Sequence, residues 1–158
     1  MPANTQPIYS LTPNVGTVLL GTTSAQVKSD GTSAGSGTDL MYGAFASGSN
    51  GSFVQRVRFS TVASAANTTG VATVLRIYLS TVSTTVGSAA GATTSANTFL
   101  LAEISVPAIA SSHSTNATNY YEVVLNIPIP TGRWILVSQH VAQTTNQAWN
   151  AKVFGGDY

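Results

Sequence analysis

Two stretches of strict alternation fix most of what this chain is able to fold into. From Ser52 to Val62, Phe53, Val57 and Phe59 fall on one parity and Val54, Arg56 and Arg58 on the other. From Val71 to Val82, Leu75, Ile77 and Leu79 oppose Val74, Arg76 and Tyr78. A period of two over that length means a β-strand with two different faces, because successive side chains of a strand point to opposite sides of the sheet. The stretch Ala63 to Gly70 between them predicts a polar hairpin loop.

The same reading extends along the chain. Gly16 to Gly21 and Leu40 to Ala46 predict short strands, and Ser47 to Gly51 a tight turn. Asn97 to Val106 places Leu100, Ala102, Ile104 and Val106 opposite Glu103 and ends at Pro107. Ser95 offers a helix cap for Ser95 to Ile104, but the strand is the expectation. Tyr121, Val123, Leu125 and Ile127 alternate with Tyr120, Glu122 and Val124, before a turn at Pro128 to Gly132. Arg133 to Val141 is apolar on both parities, which predicts a central strand, and Trp149 to Phe154 is the last. Glycine- and hydroxyl-rich loops separate these runs. About eight strands and no convincing helix predict an all-β chain, a jelly-roll-like antiparallel β-sandwich. Residues 1–13, punctuated by Pro2, Pro7 and Pro13, read as an extended N-terminal arm, and residues 14–158 as a single β-sandwich domain.

Composition narrows the function classes. A chain of 158 residues is long enough for one core without staples, and with no cysteine it has neither disulfides nor thiolate metal sites. Only 7% of its residues are charged and its formal net charge is +1, so it has no general attraction for nucleic acid or anionic membranes. No apolar run approaches the roughly 20 residues needed to span a bilayer as a helix. The opening Met1-Pro-Ala-Asn4 lacks a basic segment and an apolar segment, so synthesis in the cytoplasm is expected. A chain this neutral has little repulsion between copies, which favours association.

Catalysis finds little support. His113 and His140 lack company, and no Gly-x-Ser-x-Gly elbow accompanies them. Glu103 and Glu122 could face each other across strands as a glycosidase pair, but with Arg56, Arg58 or Arg76 nearby they more simply form cross-strand ion pairs. Gly35 to Met41 echoes one unit of a calcium-binding nonapeptide, a motif that works only by stacking repeats. Arg56, Arg58 and Arg76 with Tyr78 suggest a nucleic-acid face only thinly. No catalytic residue, metal or cofactor is therefore expected.

The charges Arg56, Arg58, Arg76, Glu103 and Glu122 all sit opposite the heavier apolar residues of their strands. Their strands should each have an outside face, and that face also carries Val54, Tyr78, Tyr120 and Val124. Apolar and aromatic groups among a few charges suit a protein–protein contact surface as well as scattered exposure.

The segments Gly51 to Phe59, Ala72 to Tyr78, Asn97 to Ile104, Asn126 to Pro130 and Phe154 to Tyr158, taken in order, resemble small phage and prophage structural proteins associated with virion head decoration. The likeness spans Gly51 to Tyr158. It implies a jelly-roll-like, non-catalytic cement protein on the capsid surface of a bacteriophage virion, with the major capsid protein as partner and self-association as a homotrimer. The capsid or intersubunit contacts expected on that reading are Pro7, Tyr9 and Leu11 of the arm, with Arg56, Arg58, Arg76, Tyr78, Glu103, Tyr120 and Glu122. The alternative is a phage tail, fibre or receptor-binding component whose jelly roll takes host glycans through loops bearing Trp149, Tyr120 or Asn residues. A free carbohydrate-binding module is a third reading.

Overall fold

The structure is a computed structural model that describes residues 12–20, 41–63, 69–91, 93–94, 96–109 and 119–158, without the side chain of Ala63. Those residues form nine strands and no helix: β1 (Thr12–Leu20), β2 (Met41–Ala46), β3 (Ser52–Ala63), β4 (Thr73–Ser80), β5 (Ala89–Ala90), β6 (Thr98–Val106), β7 (Tyr120–Ile129), β8 (Trp134–Gln139) and β9 (Gln147–Asp157). They make a four-stranded sheet, β1-β9-β3-β7, and a five-stranded sheet, β5-β2-β8-β4-β6. Apart from the two-residue β5, the strands nest in antiparallel pairs: β1 with β9, β2 with β8, β3 with β7 and β4 with β6. A chain folded once into a long double strand and then rolled gives this order, which is that of a jelly roll. Of the helical alternative at Ser95 to Ile104, Ser95 lies outside the described residues and Thr98 to Ile104 belong to the strand β6.

The core lies between the sheets. Val18, Ala151 and Phe59 form one row across β1, β9 and β3, and Leu20 pairs with Trp149; all are buried. Facing them are Phe45, Leu75, Ile77, Ile135 and Val137 of the other sheet. Burying each large side chain of this set stabilises the fold by about 1.5–3 kcal/mol. β8 is fully buried from Ile135 to Gln139, as its two-sided apolarity requires of a strand lying between β2 and β4. At one corner the two sheets nearly touch. A Cβ on Gly16 would lie 1.7 Å from the Ala44 carbonyl oxygen, so only glycine lets β1 pass β2 there.

Three register shifts correct the simple alternation. Gln55 is the extra residue of β3 against β9, since Val54 pairs with Gly155 and Arg56 with Phe154. Parity therefore reverses at Gln55: Val54 is buried in the core and Phe53 turns outward, against expectation. Leu101 is the extra residue of β6, between Leu100 opposite Tyr78 and Ala102 opposite Ile77. Leu100 is consequently half exposed on the outer side rather than aligned with Ala102, Ile104 and Val106. Ala44 does the same in β2, so that Ala44 and Phe45 both join the core. A bulge places two residues opposite one and re-aims every side chain beyond it.

The edges of the four-stranded sheet explain the prolines. Pro128 lies inside β7 rather than beginning a turn, and Pro13 lies inside β1 rather than closing the arm. Both are edge strands, where a missing N–H need not break a ladder. Residues 1–11 of the expected arm, including Pro7, Tyr9 and Leu11, fall outside the described residues, as do His113 and residues 35–40 of the calcium-motif echo.

Candidate docking face

The residues expected at a contact surface divide between two opposite faces of the sandwich. Arg56, Arg58, Tyr120 and Glu122 come together on the outer side of the four-stranded sheet. Arg76, Tyr78 and Glu103 lie on the outer side of the five-stranded sheet, so Glu103 and Glu122 do not form a carboxylate pair.

The outer side of the four-stranded sheet is a grid to which each strand contributes alternate residues, except at the register shift where Gln55 of β3 and Asn126 of β7 interrupt the spacing. Across β1, β9, β3 and β7 the rows run Pro13, Gly156, Phe53, Pro128; then Val15, Phe154, Arg56, Val124; then Thr17, Lys152, Arg58, Glu122; then Leu19, Asn150, Ser60, Tyr120. Four large apolar groups stand well exposed here: Val15 at 58%, Leu19 at 51%, and Tyr120 and Val124 at 62% each. In the first two rows Gly156 carries no side chain, leaving an open groove of about 330 Å³ walled by Pro13, Val15, Phe53 and Phe154 with Gln55 at its rim.

Charge runs beside the groove. Glu122 Oε2 receives Arg58 through Nε at 2.9 Å and its terminal nitrogen at 2.8 Å, and Arg56 Nε lies 3.4 Å from the same oxygen. The Arg56 guanidinium also sits over the Phe154 ring at 4.8 Å, and that of Arg58 over Tyr120 at 5.0 Å. Ion pairing and ring contact together hold both arginine heads flat against the sheet. Lys152 is exposed directly beside Arg58 in register and makes no ion pair among the described residues.

The outer side of the five-stranded sheet is covered by the chain itself around β2, β8 and Tyr78 of β4, while β6 stays open. After β4, residues 81–91 fold back across it, with Gly43 N–H donating to the Ser88 carbonyl and Gly87 N–H to the Gly43 carbonyl. A Cβ on Gly43 would lie 2.5 Å from the Thr84 methyl, so the crossing segment rests on bare backbone. Beneath it Met41, Tyr78, Ala90 and Leu136 form a second small core, with Val82 and the half-buried Trp134 packed on it. Tyr78, expected on a contact surface, is 5% exposed. Burial pushes its hydroxyl above the ordinary phenol range, against smaller downward pulls from Ser138 and Arg76. Neither the Tyr78 nor the Ser138 hydroxyl makes a hydrogen bond of normal geometry. Next to this core, Arg76 Nε pairs with Glu103 at 3.2 Å and a terminal nitrogen of Arg76 reaches His140 Nδ1 at 3.3 Å.

Burial decides the expectation for Trp149. Trp149 is 1% exposed, its ring packed 5.8 Å from that of Tyr121, so it offers no platform for a sugar. Among the described residues no His, Asp and Glu gather in a set able to hold a metal ion. Asp157 instead ties one end of the sandwich: its carboxylate accepts from Asn14 Nδ2 at 3.0 and 3.1 Å and from the Ser52 hydroxyl at 2.5 Å. Sequence reasoning missed Val15, Leu19, Lys152 and Phe154 as members of the open face. The signal was present for β9, where Asn150, Lys152 and Phe154 alternate with Trp149, Ala151 and Val153. No protein-family model matches the chain, and no curated protein matches its sequence.

Proposed function

We propose that the chain is a non-catalytic phage head decoration protein that binds the assembled capsid surface, self-associates as a homotrimer and stabilises the head. The observation that carries this reading is the open face built from β1, β9, β3 and β7, where exposed Val15, Leu19, Tyr120 and Val124 surround ion-paired arginines. Exposed apolar groups mixed with aromatics and arginine suit docking against another protein. Low charge favours packing on a crowded lattice, where many copies multiply a moderate contact into a stable shell. A jelly roll is compatible with the role without requiring it, since the fold hosts many functions.

Copy number in purified virions, measured by quantitative mass spectrometry against the major capsid protein, tests the reading. A simple ratio to capsid subunits is the expected result. A handful of copies per particle would favour the tail or receptor-binding alternative, and absence from virions would refute both.

A further inference from the structure

The chain has only six Lys and Arg in 158 residues, and three of them, Arg56, Arg58 and Lys152, are neighbours on the open face. Among the described residues a single carboxylate, Glu122, faces this cluster, and it pairs through one oxygen with the two arginines and leaves Lys152 unpaired. Lys152 is the direct register partner of Arg58, and like charges placed opposite each other on adjacent strands repel. Folding gains nothing from that arrangement. The opposite face shows the balanced solution, one arginine to one glutamate in Arg76 and Glu103. The two guanidinium groups are also held ready, because the Phe154 and Tyr120 rings and Glu122 fix them in place. A fixed guanidinium loses less freedom on binding a further carboxylate than a mobile one.

Resting on the decoration reading, we propose that Arg56, Arg58 and Lys152 receive a carboxylate from the capsid partner beside Glu122, while an apolar side chain of the same partner seats in the groove between Phe53 and Phe154. Charge complementarity selects the partner's acidic residue, and the glycine floor at Gly156 admits its apolar neighbour. A protein fits better than a nucleic acid, because exposed Val15, Leu19 and Val124 on the same grid would gain nothing from a phosphate backbone.

The test is co-sedimentation of the full chain with capsids purified from virus lacking it, from about 0.05 to about 0.5 M salt. The wild-type chain should bind less tightly as salt rises. Arg58→Gln with Lys152→Gln should lower the affinity about tenfold or more and flatten the salt dependence. Arg133→Gln removes one charge outside the grid and should leave both unchanged. Melting temperatures establish that each variant is folded, and the salt dependence of the wild-type chain stands without any variant. Capsid binding that ignores salt and the double variant would overturn this inference while sparing the decoration reading. No binding by the wild-type chain would overturn both. Capture of a single-stranded DNA oligonucleotide, lost in the double variant, would replace the protein partner with a nucleic acid.

Discussion

The two outer faces of the sandwich begin from the same sequence pattern and end differently. β4 presents Arg76 and Tyr78 outward, and the β3–β7 pair presents Arg58 and Tyr120 outward. Over β4 the chain returns as residues 81–91 and turns Tyr78, Leu136 and Met41 into a second core. Over β3 and β7 no described segment returns, and Tyr120 stays 62% exposed. An outward apolar residue is thus a stability element on one face and an exposed group on the other, where the proposed partner would cover it. Burying the remaining exposed half of each Val, Leu or Tyr of the open face against a partner would supply on the order of 1 kcal/mol that folding leaves unused.

The largest effect that separates the faces is expected at Leu136. Leu136→Ala should destabilise the chain by about 2–5 kcal/mol in urea unfolding, because the side chain is fully buried under the crossing segment. Next comes Gly43→Val, whose methyls meet Thr84 and the Thr85 backbone. It should cost about 1–3 kcal/mol and expose residues 81–91 to limited proteolysis. On the open face the ranking inverts. Val124→Ser should change stability by no more than about 0.5 kcal/mol while weakening capsid docking, and a loss of stability like that of Leu136→Ala would dissolve the contrast.

The smallest effect tests the covered face by pH. The Tyr78 hydroxyl titrates above its ordinary value when folded, whereas the unfolded chain ionises near pH 10. Below that pH both states hold the proton and the group is neutral to stability. Above it the unfolded state loses the proton first, so stability falls as pH rises toward the folded value. Tyr78→Phe should therefore unfold like the wild-type chain at neutral pH and resist alkali better. Equal alkaline slopes in the two proteins would mean that Tyr78 is not shut away from water.

Much of this was legible because alternation is a local signal. β3, β4, β7 and the double-faced β8 follow directly from the spacing of Phe59, Leu75, Leu125 and Ile135, and the outward charges all lie on outer faces. What alternation misses is any event that adds a residue. The bulges at Gln55 and Leu101 reverse parity without marking the sequence, so Val54 and Phe53 exchange places and Leu100 turns out. The covering of Tyr78 was hidden for a different reason. Ser83 to Ser95 has the composition of a free loop, and only tertiary packing on Met41 and Leu136 shows that part of it closes a face. Pro128 misled because its tolerance depends on β7 being an edge, which a single strand's sequence does not reveal.

The most direct measurement is side-chain oxidative footprinting of the chain free and docked on capsids. If the face of β1, β9, β3 and β7 is the docking surface, Tyr120 and Phe154 lose reactivity on docking while Phe99 and Leu100, exposed on β6, keep theirs. Protection of Phe99 and Leu100 with Tyr120 still reactive would contradict the account and move the contact to the other sheet.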